Sequence, residues 1–592
     1  MAQARRSLRI LFLVSAHNSL SQRAYIALTE LGHEVAVAVV DSAAAMESAV
    51  ARHRPELVVC PMLKKLIPES IWRNHRCLIV HPGPMGDRGA SSLDWAVELG
   101  MGEWGVTVLE ANGDFDAGDV WATRTFRMRD AGKTSLYRHE VRRAAIEALE
   151  EAIGKVVAGG APEAPEDGEA RVIGLARPLM RQDVRAIDWS SDGADTVIRK
   201  IRAAEGHPGV LDSVEGREFH LFGVHRERAL RGRAGELIAQ RGGAVCRATV
   251  DGAVWITHLK RRDGRDQASL KLPATRALAM AGHALDVPEI PVHVHAQLPA
   301  DHTYREISYE EQDSVGYLYF DCYDGAMSTE QCRRLREAYL YARSRRQTKV
   351  IVLMGGDDFF SNGIHLKIIE AADHPAEESW RNLNAMDDLV REVLETDSHL
   401  VVSALAGDAA AGGVAFALAA DQVVAREDVV LNPYYQHMGG LYGSEYWTYL
   451  FPRRIGPVTT TRLMGPPFTP IGTRRAVEIG LLDAAFGDTA AGFRAQTRAR
   501  AERLARDAAL DRRLEEKRIR RARDEQGKPL EAYRAEEMAH SHECFFGPDR
   551  SYHEARRRFA YKLGAPSAAT RSPSSRAATM ATSVGGVETR AA

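Results

Sequence analysis

The chain has 592 residues and a formal net charge of −2, from 78 basic and 80 acidic side chains. That length is enough for about three or four domains, and the balanced charge gives no global sign of a nucleic-acid partner or an anionic membrane. No long uncharged apolar run predicts a transmembrane helix, and the six cysteines are scattered without a Cys-x-x-Cys pair. We therefore expect a cytoplasmic protein with reduced thiols and with neither a nucleic-acid nor a membrane partner.

Strands and helices alternate over the first eighty or so residues. Polar residues from Asn18 begin a helix directly after the first apolar strand. Buried strands are predicted at residues 8–14, 34–40, 57–60 and 77–80. Such alternation predicts a parallel sheet whose ligands bind at the carboxyl ends of the strands, and His81 lies at such an end.

His81 opens a loop rich in Gly and Pro, and a second loop brings Asp116 about thirty-five residues later. Histidine is the side chain that titrates closest to neutrality, and a carboxylate beside it fixes its tautomer or raises its basicity. The pattern therefore predicts a proton-transfer pair. The alternative is a strand-end histidine that caps a loop beside a surface aspartate.

The motifs in this region resemble those of the folate-dependent formyltransferases, which bind 10-formyltetrahydrofolate. They are His81-Pro-Gly-Pro, Asp87-Arg-Gly, Trp104-Gly-Val-Thr-Val and Asp116-Ala-Gly-Asp. The resemblance implies that His81 and Asp116 are catalytic. It also implies folate-binding roles for Ile79, Gly83, Arg88, Ser91 and Asp119.

Ile79 departs from the formyltransferase pattern, because the family has an asparagine at this position. One donor to the developing formyl oxyanion is therefore missing, and loss of a single such donor typically costs about 2.7–4 kcal/mol. Either the formyl acceptor differs from the usual amine or another group replaces the donor.

Short alternating segments follow a loop at residues 160–168. Their spacing predicts a small β-barrel, with strands at residues 217–224, 244–250 and 253–259. This part resembles the carboxy-terminal subdomain of methionyl-tRNA formyltransferase, where the barrel helps to hold tRNA. The near-neutral charge of the chain argues against that role here.

Two Gly-rich turns between a strand and a helix mark the second half of the chain, at residues 355–366 and 406–413. Such turns aim backbone N–H groups outward, as an oxyanion site requires, because Gly lets a substrate approach the backbone closely. Their order and separation resemble the crotonase (enoyl-CoA hydratase/isomerase) superfamily over residues 308–490. A single Gly-Gly turn would be weak evidence.

The crotonase resemblance implies a CoA site in which the N–H groups of Ile364 and Gly412 donate to a thioester oxygen. It implies CoA-binding roles for Ala326, Met327, Gly363, Ile364, Gly412 and Gly413. The two glutamates that hold water in a hydratase correspond to Ala415 and Tyr435. Addition of water to an enoyl-CoA is therefore not expected.

A polar aromatic segment at residues 432–447 includes Tyr435 and Glu445. In a dry pocket a buried glutamate has a raised pKa and exchanges protons near neutrality. We therefore assign Tyr435 and Glu445 to catalysis. The alternative is that the aromatic rings are core and that Glu445 caps the following helix.

No metal site is predicted. His293 and His295 alternate on one face of a short segment, where solvent-facing imidazoles are the more common outcome. Nearer the end of the chain, a helix would turn His540 and Cys544 one way and His542 another.

Both resemblances together predict an α/β protein with a Rossmann-like formyltransferase domain, a small β-barrel subdomain and a crotonase-like ββα spiral domain. The expected order is the formyltransferase domain at 1–160, the barrel at 170–262, a linker at 263–305, the crotonase-like domain at 306–490, carboxy-terminal helices at 491–562 and a disordered tail at 563–592. This fusion resembles a family of [NiFe]-hydrogenase maturation factors.

The whole-chain resemblance implies that a formyl group passes from 10-formyltetrahydrofolate to CoA, and that formyl-CoA is then split into CO and CoA for the active-site iron. Hydrogenase maturation proteins carrying the iron centre are the implied partners. Two other interpretations are open: a formyl-CoA thioesterase that releases formate, and a non-catalytic scaffold that binds folate and CoA.

Overall fold

The computed structural model describes residues 6–164, 174–262, 269–299 and 301–563. Residues 564–592 of the predicted tail, and residues 263–268 and 300 of the predicted linker, lie outside the described residues. Four β-sheets organise the described part of the chain.

The first sheet has the strand order β2-β1-β3-β4-β5-β6. Its first four strands are parallel, while β5 runs antiparallel to both β4 and β6. A π-helical turn at Tyr137–Val141 joins α5 to α6. The elements are β1 (Arg9–Val14), α1 (Ser19–Glu30), β2 (Glu34–Val39), α2 (Ala43–His53), β3 (Leu57–Cys60), α3 (Glu69–Trp72), β4 (Cys77–His81), α4 (Ser92–Glu98), β5 (Glu103–Glu110), β6 (Val120–Arg127), α5 (Lys133–Leu136) and α6 (Arg142–Val157).

Strand β4 places His81 at the carboxyl edge of the first sheet. The sequence predicts a strand at residues 77–80, and the structure extends it to His81, which pairs with Thr107 of β5. Because side chains alternate along a strand, His81 and Ile79 lie on the same face. The Asn18 side chain caps α1 by accepting from Ser21 N at 3.0 Å, so this helix begins at the same edge of the sheet.

The second sheet is antiparallel and corresponds to the expected barrel subdomain. Its strand order is β7-β8-β11-β10-β9, with β12 paired to β11. Helices α8 and α9 contribute to its apolar core. The elements are α7 (Gln182–Arg185), α8 (Ala194–Ala204), β7 (Val210–Val214), β8 (Arg217–Glu227), β9 (Leu237–Arg241), β10 (Ala244–Ala248), β11 (Ala253–Arg261), β12 (Lys271–Pro273) and α9 (Ala274–Met280).

The third and fourth sheets form the ββα spiral that the sequence predicts. Their strand orders are β13-β14-β15-β17-β19-β22 and β16-β18-β20-β21. The pairs β15/β16, β17/β18 and β19/β20 each place their first strand in the third sheet and their second in the fourth. The strands are β13 (Ile307–Gln312), β14 (Val315–Phe320), β15 (Val350–Met354), β16 (Phe359–Ser361), β17 (Leu400–Leu405), β18 (Asp408–Ala410), β19 (Gln422–Ala425), β20 (Val430–Asn432), β21 (Ile471–Gly472) and β22 (Ala484–Ala485).

Helices cover this spiral and extend to the end of the described chain. They are α10 (Thr329–Arg343), α11 (Leu366–Glu370), α12 (Pro375–Leu394), α13 (Gly412–Leu418), α14 (Trp447–Ile455), α15 (Pro457–Met464), α16 (Thr473–Glu478), α17 (Ala490–Ala505), α18 (Leu510–Gly527), α19 (Leu530–Phe546) and α20 (Ser551–Tyr561). The largest apolar core lies beneath α10, α12, α13 and α14. No described helix has both the length and the apolar character needed to cross a bilayer.

Ion pairs and hydrogen bonds join the first sheet's helices to the spiral. Arg142 of α6 lies 2.9 Å from Asp408, and Arg23 of α1 lies 2.8 Å from Asp428. Gln22, also on α1, accepts a hydrogen bond from Asn432 at 3.0 Å. Helix α1 therefore begins at the edge of the first sheet that carries His81 and packs against β20 in the other half.

Candidate active sites

His81 lies between two carboxylates. Its Nε2 is 2.8 Å from Asp87 Oδ2, and its Nδ1 is 3.4 Å from Asp116 Oδ2. The histidine is only 4% exposed. Both ring nitrogens therefore face oxygen acceptors, which is the arrangement that an imidazolium requires.

Two glycines let the loops close around His81. A Cβ on Gly83 would lie 2.4 Å from both His81 Nε2 and Asp87 Oδ2, so a side chain there would separate the pair. A Cβ on Gly118 would lie 1.7 Å from the Glu110 carbonyl oxygen. Asp116 itself has a φ of 52°, a left-handed conformation that Asp adopts more readily than bulky residues.

The two carboxylates control the charge of His81. Burial alone would lower its pKa, but the hydrogen bonds to Asp116 and Asp87 outweigh burial and raise the pKa of His81 to about 9. Burial pushes the pKa of Asp116 upward, and the contact with His81 more than offsets this, so that its pKa is lowered. The pair is therefore an imidazolium and a carboxylate at neutral pH.

The other residues predicted to bind folate lie around this pair and differ in how far they are exposed to solvent. Arg88 is exposed, and together with His81 and Asp116 it lines a small concavity of about 10 Å³. Ile79 is half-buried and presents no polar atom. The Ser91 hydroxyl accepts from Met180 N at 3.1 Å, and Asp119 is exposed while its carbonyl accepts from Glu110 N.

Asp87 is the residue of this site whose role the sequence reasoning missed. In the sequence it stands within the Asp87-Arg-Gly motif, six positions after His81, in a loop of glycines and prolines that folds back. Its Oδ1 is buried and has no hydrogen-bond partner among the described residues. An unpaired buried oxygen beside the histidine is an acceptor open to a substrate N–H group.

The second site combines two backbone N–H groups that have no acceptor among the described residues, those of Ile364 and Gly412. The two loops touch, because a Cβ on Gly363 would lie 3.2 Å from Gly412 N. Ala411, just before α13, has a φ of 46° that turns the chain into the helix. Both donors can therefore converge on one oxygen, as a thioester site requires.

The predicted CoA groove is fixed to the same loops. Met327 and Ile364 form a parallel bridge, and Met327 N donates to Gly363 O at 2.9 Å. Asn382 of α12, which the sequence reasoning missed, donates to Met327 O at 2.9 Å and accepts from His365 N at 3.0 Å. Ala326 precedes this bridge directly. Asn382 thereby fixes the position of the Met327 segment relative to the Ile364 loop.

The Glu445 carboxyl lies against Gly412. A Cβ on Gly412 would be 2.4 Å from Glu445 Oε1, and Glu445 is only 1% exposed. Burial raises the pKa of Glu445 well above its usual range, and the negative charge of Asp387 raises it further. Glu445 does not cap the next helix: the residue at the start of α14 is Tyr446, and Thr448 N donates to Glu537 instead.

By the crotonase resemblance, Tyr435 and Ala415 correspond to a hydratase's water-holding glutamates. Ala415 is fully buried in α13, and the Tyr435 hydroxyl donates to Ser444 O at 3.3 Å. Burial and the nearby Glu445 carboxyl raise the pKa of the Tyr435 hydroxyl well above its usual range. By the crotonase resemblance, the Tyr435 phenol thus stands where a hydratase has a glutamate, while the Glu445 carboxyl lies beside Gly412.

The four histidines for which the sequence predicts no metal-binding role make aromatic contacts. His293 and His295 stack at 5.6 Å between ring centroids, and His540 stacks on Tyr442 at 4.3 Å. His542 meets Trp380 edge-on at 5.4 Å. These contacts account for the four rings as packing groups.

A larger cleft of about 790 Å³ lies between the first sheet's helices and the second sheet. Four of its arginines are already paired with carboxylates, since Arg129 contacts Glu140, Arg202 contacts Asp130, Arg226 contacts Asp195 and Arg228 contacts Asp301. The cleft therefore holds little uncompensated charge.

Comparison with known proteins divides the chain into the same parts as the sequence motifs and the β-sheets do. Models of the formyl transferase family and of the formyl transferase C-terminal domain match residues 18–153 and 179–271, and an enoyl-CoA hydratase/isomerase model matches residues 310–563. The hydrogenase maturation factor HoxX of Bradyrhizobium diazoefficiens is 46% identical over 557 residues, which are 94% of this chain and 95% of that protein. The chain belongs to the HypX/HoxX family of hydrogenase maturation factors.

The HypX/HoxX family includes a solved relative with nearly the same structure. HypX of Aquifex aeolicus in complex with tetrahydrofolic acid superposes with a TM-score of 0.89 at 43% identity, over 94% of this chain and 97% of that one. Methionyl-tRNA formyltransferase of Variovorax paradoxus is 26% identical over 38% of this chain and 70% of that protein. The predicted family and the two-part fold are therefore confirmed.

Proposed function

We propose that this hydrogenase maturation factor makes carbon monoxide in two steps. The first moves a formyl group from 10-formyltetrahydrofolate to the thiol of CoA, and the second splits formyl-CoA into CO and CoA. The observation that carries the proposal is the pairing, on one chain, of an imidazolium site with a thioester site in which Glu445 lies against Gly412. The tetrahydrofolate complex of the Aquifex aeolicus relative supports folate binding at the first site.

In the first step His81 acts as the proton donor. The thiol sulfur bonds to the formyl carbon, the bond from that carbon to the folate nitrogen breaks, and His81 delivers a proton to the leaving nitrogen. The thiol proton restores His81. Because a pKa of about 9 keeps His81 positively charged at neutral pH, its charge also stabilises the formyl oxyanion, in place of the donor that Ile79 lacks.

In the second step the Ile364 and Gly412 N–H groups hold the formyl oxygen while Glu445 acts as the base. Glu445 removes the formyl proton, the electron pair of that bond stays on carbon as CO forms, and the electron pair of the carbon–sulfur bond leaves with sulfur. Glu445 then returns the proton to sulfur, assisted by the Tyr435 hydroxyl. A carboxylate with a raised pKa is a stronger base than an ordinary glutamate.

Incubation of the purified protein with 10-formyltetrahydrofolate, with and without CoA, tests the proposal. We expect CO, detected by the absorbance of CO-haemoglobin, only when CoA is present. His81→Ala should abolish both folate turnover and CO formation. Absence of CO from the unmodified protein, together with hydrogenase maturation that His81→Ala leaves intact, would support a scaffold instead.

Glu445→Gln separates the two steps. We expect this variant to consume 10-formyltetrahydrofolate and to accumulate formyl-CoA, because the amide cannot accept the formyl proton. Release of formate rather than CO by the unmodified protein would identify a formyl-CoA thioesterase.

A further inference from the structure

The turn that carries Glu445 has an unusual backbone. Gly443, Glu445 and Tyr446 have φ angles of 80°, 61° and 57°. Glu445 and Tyr446 are not glycines, and side chains of their size rarely adopt this left-handed region. Such a backbone persists only where surrounding groups hold it in place.

Two buried carboxyl groups from distant helices hold this turn. Asp387 of α12 accepts from Glu445 N at 2.7 Å and lies 2.9 Å from Ser444 Oγ. Glu537 of α19 accepts from Tyr446 N at 2.9 Å and lies 3.2 Å from the same Ser444 Oγ. Both carboxyl residues have no exposed surface.

The Ser444 hydroxyl shows how protons are arranged in this cluster. A hydroxyl has one proton to donate and two lone pairs, so Ser444 can donate to only one of its two carboxyl neighbours. Asp387 lies 3.6 Å from Arg534, which favours its ionised form. Burial raises the pKa of both carboxyls, to about 7 for Asp387 and to about 8 for Glu537, so the cluster exchanges protons near neutrality.

We propose that Asp387 and Glu537 are positioning residues for the second reaction step, which hold the Glu445 carboxyl against Gly412 and set its proton affinity. The inference rests on the proposed role of Glu445 as the base. Asp387 fixes the backbone N–H of Glu445, while Glu537 fixes the next residue and the start of α14 through Thr448 N at 2.8 Å. Neither carboxyl touches the substrate in this arrangement.

The charges facing Glu445 determine the direction of the effect. Asp387, Glu537, Tyr435 and Cys332 surround its carboxyl, while the cations Arg534 and Arg391 lie farther along the cluster. A negative Asp387 makes it harder for Glu445 to lose its proton. Removing that charge therefore lowers the pKa of Glu445 and weakens it as a base.

Asp387→Asn and Glu537→Gln test the proposal, since both amides keep the size of the side chain they replace. For each variant we expect CO formation from 10-formyltetrahydrofolate and CoA to fall at least tenfold, with folate consumption within twofold of the unmodified protein. The rising limb of the pH profile for CO formation should move to lower pH in Asp387→Asn, because Glu445 then ionises more easily.

Asp388→Asn is the matched control. Asp388 is the next residue of α12 and pairs with the same Arg534 at 2.7 Å, but its side chain is 45% exposed and makes no hydrogen bond to the turn among the described residues. We expect unchanged CO formation and an unchanged pH profile. A general loss of stability would lower both reaction steps and the melting temperature, without moving the pH profile.

Two outcomes separate the failure of this inference from the failure of the proposed function. If Asp387→Asn and Glu537→Gln both form CO at rates within twofold of the unmodified protein, with an unshifted pH profile, while Glu445→Gln forms none, the positioning role is wrong. If Glu445→Gln itself still forms CO, the proposed role of Glu445 is wrong.

Discussion

At the scale of single residues, the first site depends on how two carboxylates share one imidazole. Asp87 and Asp116 approach opposite nitrogens of His81, at 2.8 and 3.4 Å. A single carboxylate would fix the tautomer, whereas two favour the charged ring. This makes His81 a proton donor at neutral pH rather than a base that awaits a proton.

Asp116→Asn should move the pH profile of folate consumption. His81 acts in its protonated form, so the rate of the unmodified protein should hold below its pKa of about 9 and fall above it. Without the Asp116 charge the pKa of His81 falls, and the decline should begin at lower pH. The measurement is the rate of 10-formyltetrahydrofolate consumption with CoA between pH 6 and 10, a range set by the ordinary His pKa of about 6.5 and this raised value.

Asp114→Asn, an exposed change in the same loop, is the control and should leave the profile in place. A profile that is the same for Asp116→Asn and the unmodified protein would contradict the assignment of His81 as the acid.

Local sequence patterns predict a proton-transfer pair at His81 and Asp116, and the crotonase resemblance assigns the Ile364 and Gly412 N–H groups; each of these residues lies in a Gly-rich loop or beside one. They could not reveal Asp387 or Glu537, which reach Glu445 from helices 58 and 92 positions away. A weak signal exists: Asp387 lies in a row of buried apolar positions with Leu383 and Val390. An acidic residue on such a face requires partners, but the sequence does not say which.

At the scale of elements, helix α13 begins at Gly412, whose N–H group is one of the two donors of the proposed thioester site. The turn before this helix leaves Gly412 N without an acceptor among the described residues, and the helix places Ala415 in the core. The expected ββα order predicted this helix correctly. It could not predict that the residue facing Gly412 would come from the turn before α14, because Glu445 lies 33 positions after Gly412, beyond β19, β20 and an irregular segment at residues 433–446.

Gly412→Ala should impair the second step alone. Its new Cβ would lie 2.4 Å from Glu445 Oε1, so the carboxyl must move away from the thioester site. We expect formyl-CoA to accumulate and CO formation to fall on the order of a hundredfold, comparable to the loss of one oxyanion donor. Chromatography of CoA thioesters after a single turnover provides the measurement.

Gly527→Ala is the matched control, because a Cβ on Gly527 would meet no atom within 4 Å. It should release CO at the normal rate. Normal CO release by Gly412→Ala would show that Glu445 does not need its observed position.

At the scale of the whole molecule, the two halves are joined by buried ion pairs rather than by a free linker. Arg142 and Asp408 have side chains that are only 3% and 11% exposed. Asp408 also accepts from Val430 N at 2.9 Å, within the fourth sheet. The order of motifs along the chain predicts both halves but not the contact between them, because Arg142 and Asp408 are 266 positions apart.

Arg142→Met should therefore destabilise the protein much more than the neighbouring Arg143→Met. Removing one partner of a buried pair leaves an uncompensated charge and costs about 3–5 kcal/mol. Arg143 pairs with Asp488 at the surface, where such pairs contribute less than about 1 kcal/mol. Thermal unfolding of the two variants provides the measurement, and equal melting temperatures would contradict a buried interface between the halves.

The central claim is that the one-carbon unit leaves folate for sulfur and is released without reacting with water. A single turnover of 10-[¹³C]formyltetrahydrofolate with CoA in H₂¹⁸O tests it most directly, by mass spectrometry of the gas and of formate. We expect the ¹³C in CO, with no oxygen from the solvent. Recovery of the ¹³C as formate containing ¹⁸O would contradict the account.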